Sequence, residues 1–305
     1  MEKKNNPMLC DPETGVCEIP SNVGTGAEKV RLLSVEKPMR VLYFTDPICS
    51  SCWGIEPQLR KLKLEYGHAL DIEYRMGGLL PDWSYNSGGI SGPGDVARHW
   101  DEVSQHYDMP IDGDVWLEDP LHSSYPPSIA FKAAQLQDEA KAIDFLREMR
   151  EMVFLKKMNI ARWENIAMAA VRVGLDVVQM KSDFEGQARI SFEEDLDLAR
   201  RWGVRGFPPI FFIDGGGNQE MVYGTKRYPF YEMAILNLNP EIEKRDYSKE
   251  WNSLFETYPT LTAREFAELS GNPRVEVEGR LDDLSRKGVL EKLQTRNGSI
   301  WERRN

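Results

Sequence analysis

Two kinds of apolar pattern alternate along the chain. Residues 40–45 (RVLYFT) are a short apolar run rich in β-formers, which predicts a strand. After the segment DPICSSCW, Leu59, Leu62 and Tyr66 recur at helical spacing until Gly67, which predicts a helix closed by that glycine. In LDIEYRM, Leu70, Ile72, Tyr74 and Met76 alternate with Asp71, Glu73 and Arg75, as in a strand with one more polar face, before a double glycine ends the run. Strand signals then nearly vanish. From about residue 84 to Trp202 helical periodicity dominates, punctuated by Pro110, Pro126-Pro127, Asn159 and Gly174. Beyond Gly203 the pattern reverts: RGFPPIFFID predicts a buried strand, GGGN a turn, QEMVYG a second strand, and Tyr228 to Leu238 a helix. The predicted order is β-α-β, helical block, β-β-α.

Both flanks differ from this centre. Residues 1–37 are dense in Asn, Pro and Gly, which predicts an irregular arm, and they carry Cys10 and Cys17. The main domain is expected over 38–238, with its helical insertion at about 84–202. A linker at 239–259 is marked by Pro240, the charged stretch EIEKRD and Pro259. In the tail, 260–305, Leu261 to Leu269 and Val275 to Leu284 predict two amphipathic helices. GVLEKLQTRNGSIWER predicts a hairpin turned at Asn297-Gly298. Helix, helix, hairpin is the outline of a small winged-helix-like domain.

Composition narrows the function. The 305 residues allow a sizeable core, and 41% apolar with 29% charged residues excludes a fibrous or disordered chain. A net charge of −11 argues against a partner held by phosphate contacts. The tail has nine basic side chains against eight acidic ones, a poor footprint for DNA, so no nucleic-acid partner is expected. The opening residues lack an apolar core of signal-peptide length, and no window approaches the roughly 18 apolar residues of a membrane span; a cytoplasmic location with no membrane partner is expected. Four cysteines are too few for a disulfide scaffold, and in a reducing compartment a close pair is more often catalytic or metal-binding.

Cys49-Ser50-Ser51-Cys52 stands where a strand gives way to a helix. Unpaired amides and the dipole of a helix N-terminus stabilise a thiolate, so Cys49 is the expected attacker; Cys52 is the expected resolving thiol. This requires the Cys49 sulfur to be reachable from solvent, with Cys52 behind it. This arrangement resembles a thioredoxin-like fold, and the resemblance implies a cis proline beside the pair, a place that Phe207-Pro208, just before a buried strand, fits; Pro57 fits a helix that starts at the cysteines and then bends.

With these residues the chain resembles thioredoxin-fold proteins of the DsbA and FrnE type, α/β proteins with a helical insertion between the second and third strands. It is most similar to the YjbH group, also called SpxH, through DPICSSCWGIEPQLRKLKLEYG, DGDVWLEDP, FKAAQLQ, FLREMREMVFLKKMNI and the GSIW of the tail. The resemblance implies one of two roles: dithiol-disulfide exchange, or the adaptor role of that group, which presents the transcription factor Spx to the ClpXP protease. Three departures stand out. Tyr43 occupies the position, six residues before the nucleophile, where thioredoxin and DsbA place a buried acid. The dipeptide between the cysteines is Ser-Ser and lacks a histidine. Cys10 and Cys17 stand in a region that is His-rich and metal-binding in the adaptor group.

The leading expectation is a thiol-disulfide oxidoreductase acting on protein or small thiol substrates. Cys49 and Cys52 would be catalytic, and Phe207, Pro208 and Trp53 would hold an extended substrate by edge pairing. The alternative is a non-catalytic adaptor for a protein client and a ClpXP-type protease; a glutathione-dependent isomerase or transferase is a third reading. Cys10 and Cys17 are a second redox or metal pair, with a relay to Cys49, a metal half-site and unpaired thiols all open. No cofactor and no resident metal are expected. Trp53 is the one tryptophan expected to face a partner, and His68, His99, His106 and His122 are expected at the surface or at helix caps.

Overall fold

The computed structural model describes residues 10–11, 15–18, 37–85 and 92–304. The remainder of the N-terminal arm lies outside them. The main sheet has four strands: β3 (Met39–Thr45), β4 (Leu70–Met76), β6 (Pro209–Asp214) and β7 (Gln219–Tyr223), in the order β4-β3-β6-β7. β3 runs parallel to β4 and antiparallel to β6, and β6 is antiparallel to β7. Central β3 is almost wholly buried, as its unbroken apolar run requires, whereas β4 alternates. Arg75, on the more polar side of β4, pairs with the buried Asp195 of α9 (Gln187–Arg201) at 3.1 Å.

Between β3 and β4 the chain makes two helical segments, α1 (Ser50–Gly54) and α2 (Glu56–Tyr66). The break falls at Ile55, because Pro57 lacks an amide donor and is tolerated only in the first turn of the new helix. The insertion then runs through α3 (Pro93–Tyr107), α4 (Val115–Glu118), α5 (Tyr125–Gln137), α6 (Glu139–Leu155), α7 (Trp163–Arg172), α8 (Val177–Glu185) and α9. After β7, α10 (Tyr228–Leu238) packs on β6, β7 and α2.

Two expectations need correction. The stretch expected as a linker contains a helix, α11 (Trp251–Thr257), because Leu254 and Phe255 are drawn into the apolar cluster of the tail. The arm is not irregular throughout: β1 (Cys10–Asp11) and β2 (Val16–Glu18) are strands, and β2 pairs with the short β5 (Gly206–Phe207).

The tail comprises β8 (Thr260–Thr262), α12 (Ala263–Ser270), α13 (Arg274–Arg286), β9 (Leu290–Thr295) and β10 (Gly298–Arg303), its sheet ordered β8-β10-β9. Thr262 and Glu265 form a capping box at the start of α12. The tail docks on the main domain through polar contacts. Arg147 of α6 grips Glu265 with two bonds of 2.7 and 3.1 Å, Arg60 of α2 reaches the same carboxylate at 3.2 Å, and Arg274 forks onto Asp108 at 2.7 and 2.8 Å. At the hairpin tip, Asn297 donates to the Ile111 carbonyl (2.9 Å) and to Asp101 (2.7 Å).

Candidate functional site

Cys49 is the N-cap of α1. Its backbone is extended, its N–H donates to the Asp46 carbonyl at 3.2 Å, and its Sγ accepts the N–H of Cys52 at 3.1 Å. The two cysteines form a disulfide across 5.2 Å between Cα atoms. A sulfur at this position receives an amide that would otherwise be an orphan donor, the local arrangement that favours a thiolate when the bond is reduced. Both cysteines are completely buried, which departs from the expectation of a solvent-reachable Cys49.

The intervening serines are also buried. Ser51 shares a hydrogen bond of 2.8 Å with the Tyr107 hydroxyl, and the Tyr107 ring is held against Gly54, where an added Cβ would lie 2.7 Å from it. Trp53 requires a second correction. Rather than facing a partner, it is fully buried, its indole N–H donating to the Pro110 carbonyl at 3.0 Å. Phe154 stacks on its ring at 5.5 Å and the Arg147 guanidinium lies 4.4 Å from its centre. A large ring with one donor is best satisfied in this way when a loop and a helix close over it.

Phe207 and Pro208 are joined by a cis peptide bond. The Phe207 side chain points inward and is fully buried against Gly77, where a Cβ would stand 2.1 Å from the ring. The backbone of Phe207 pairs with Cys17. The structure thus brings the arm and the cis-proline segment together; the side chains of Cys10 and Cys17 lie outside the described residues.

Asp46 was not expected at the site. It stands inside the DPICSSC motif, is fully buried, and accepts bonds from the Ile48 N–H (3.0 Å), the Leu79 N–H (2.8 Å) and the Ser124 hydroxyl (2.7 Å). Burial pushes its carboxyl up to about 6, against the opposing pull of those donors. Tyr43, found where an acid was sought, is buried beside Arg150 and Thr45, and burial raises its phenol well above the ordinary range. Arg150 is buried too, bonding to Thr45 (2.6 Å) and Glu56. Of the histidines, His99 departs from expectation: it is buried in α3, and desolvation lowers it to about 4.

A buried Cys-x-x-Cys disulfide capping a helix after a central strand, with a cis proline ahead of the next strand, defines a thioredoxin-fold protein with a DsbA-like helical insertion. A family model described as "Thioredoxin" matches residues 42–233. The ClpXP adapter protein SpxH of Halalkalibacterium halodurans is 32% identical, over 99% of this chain and 99% of its own length. The protein of the same name from Bacillus subtilis is 26% identical, over 88% and 90%. Among solved structures, the cytosolic disulfide reductase DsbM from Pseudomonas aeruginosa aligns with a TM-score of 0.52 at 21% identity, covering 64% of this chain and 98% of that one. A candidate protein disulfide isomerase from Nitrosomonas europaea gives 0.58 at 19%, covering 66% and 97%. The chain belongs to the thioredoxin family and, within it, to the SpxH group. Among the described residues, no helix is long and apolar enough to cross a membrane.

Proposed function

We propose that this protein is a protease adapter of the SpxH kind, which binds a protein client resembling Spx and presents it to a ClpXP protease in the cytoplasm. The observation that carries this reading is the span of the likeness. The SpxH match runs over 99% of both chains, arm and tail included, whereas the disulfide-reductase fold accounts for 64% of this chain. In this reading the tail is a winged-helix-like module used for protein contact, in keeping with its nearly balanced charge. The burial of both sulfurs fits a thiol pair that need not turn over.

A second reading, dithiol-disulfide exchange on a protein or small thiol, is favoured by one observation: the Cys49 sulfur accepts the amide of Cys52 at the start of a helix. The two are separated by measuring degradation of an Spx-like client by purified ClpXP beside thiol-dependent insulin reduction. Wild type and the Cys49→Ser/Cys52→Ser variant should both accelerate degradation by about tenfold or more, the effect of roughly 1.4 kcal/mol of added binding. Insulin reduction by wild type should be no faster than by the variant. Insulin reduction lost in the variant, with no acceleration of degradation by either protein, would replace the adapter with the oxidoreductase.

A further inference from the structure

The arm returns to the dithiol by a long-range pairing. β2 runs antiparallel to β5, with Cys17 opposite Phe207 and Glu18 opposite Gly206. Its other edge pairs with β1, placing Cys10 directly opposite Cys17. The β2 backbone also comes within 8 Å, Cα to Cα, of α1, the helix that the Cys49–Cys52 pair opens. A separate contact fixes the entry to β2. The Thr225 N–H donates to the Gly15 carbonyl at 3.1 Å, and a Cβ on Gly15, whose φ is +67°, would lie 1.6 Å from the Thr225 hydroxyl. A cysteine-bearing strand is therefore seated on the edge beside Pro208, where an extended partner would add a strand. Directly opposed residues of an antiparallel pair have Cα atoms about 4.5–5.5 Å apart, inside the range of roughly 4.4–6.8 Å that a disulfide spans.

We propose that the β1–β2 pair is a second dithiol-disulfide site that exchanges electrons in cis with Cys49–Cys52 and withholds that pair from other partners while seated. In the exchange, the Cys49 thiolate attacks the Cys17 sulfur of a Cys10–Cys17 disulfide. The Cys17–Cys49 bond forms as the Cys10–Cys17 bond breaks, and Cys10 leaves as a thiolate. Cys52 then attacks Cys49, closing Cys49–Cys52 and releasing Cys17. Two electrons pass from the Cys49/Cys52 pair to the Cys10/Cys17 pair, and the two protons given up by the first are taken by the second. The reverse sequence balances in the same way. This goes beyond the adapter reading and stands independently of it.

The test uses the full-length chain with selected thiols. Cys10→Ser/Cys52→Ser keeps Cys17 and Cys49; Cys17→Ser/Cys52→Ser keeps Cys10 and Cys49. Each is equilibrated at low concentration in a glutathione redox buffer, alkylated and mapped by mass spectrometry. The first should form an intramolecular Cys17–Cys49 disulfide, at a yield about tenfold or more above the Cys10–Cys49 link in the second, because register gives only one thiol a high effective concentration. Adding Gly15→Val to the first variant should unseat the strand, lowering the yield and speeding alkylation of reduced Cys49, with circular dichroism confirming that the fold persists. Equal yields from the two thiols, links only between molecules, or a yield and alkylation rate unmoved by Gly15→Val would each overturn the proposal.

Discussion

Asp46 and His99 oppose one another as pH changes. The carboxyl is raised from 3.8 to about 6, so the stability it contributes is present below pH 3.8 and lost as pH rises through about 6. The imidazole is lowered from 6.5 to about 4, so its contribution is present above pH 6.5 and lost as pH falls through about 4. Each is worth at most about 3 kcal/mol, at about 1.36 kcal/mol for every tenfold change in the acidity constant, and across the acid range the two largely cancel. The histidine is isolated by comparing urea unfolding of wild type with His99→Gln. Wild type should lose up to about 3 kcal/mol relative to the variant as pH falls from 6.5 to 4. A difference that stays constant would mean that His99 titrates in the fold as it does in water. Neither group was legible as perturbed in the sequence. Asp46 sits in a plain DP turn, and only the donors from Leu79 and Ser124, on other segments of the chain, seal it.

Elements with one clean period were legible nearly to the residue. The helix expected from Tyr228 to Leu238 is α10, the alternating LDIEYRM is β4, and the tail's second helix and hairpin fall where turn residues bound them, whereas the helix expected from Leu261 begins at Ala263 because Leu261 belongs to β8, which pairs with β10. The strand-to-helix placement of the cysteines was legible for the same reason, and the cis Phe207-Pro208 bond through the resemblance to a thioredoxin-like fold. What was missed depends on partners far along the chain. β1 and β2 have no periodic signal; β2 exists by pairing with β5 and β1 by pairing with β2, while Trp53 is turned inward by Pro110 and α6. α11 was hidden because its seven residues bury only Leu254 and Phe255 beside a charged stretch. Phe255 nevertheless packs against Phe266 in a cluster separate from the main core. Phe255→Ala should cost about 3–5 kcal/mol. That loss should appear as faster amide exchange in α12, with β3 little changed. Equal acceleration in β3 would show that the two cores open as one unit.

At the scale of the whole molecule, one buried carboxylate stands among the contacts that join the two cores. Glu265 is fully buried between Arg147 and Arg60. Burial alone would raise its carboxyl, but the two guanidiniums hold it below the usual range. Arg147 also lies over Trp53, next to Cys52, so the contact that anchors the tail supports the floor of the dithiol site. Glu265→Gln keeps the volume and removes the charge. Arg147 would then keep Glu151 at 2.7 Å and Arg60 would keep Glu56 at 3.9 Å, but both lose the carboxylate they share, and breaking a buried pair costs up to about 3–5 kcal/mol. The variant should show a lower denaturant midpoint and a changed tryptophan emission, because the ring under Arg147 loses its fixed neighbour. A loss below about 1 kcal/mol, the scale of an exposed ion pair, would mean that the guanidiniums find water and that apolar contact alone seats the tail. An adapter must hold its client-binding and protease-facing surfaces in one fixed relation. On the adapter reading proposed above, the same variant is therefore expected to lose acceleration of client degradation under conditions where circular dichroism still shows both units folded.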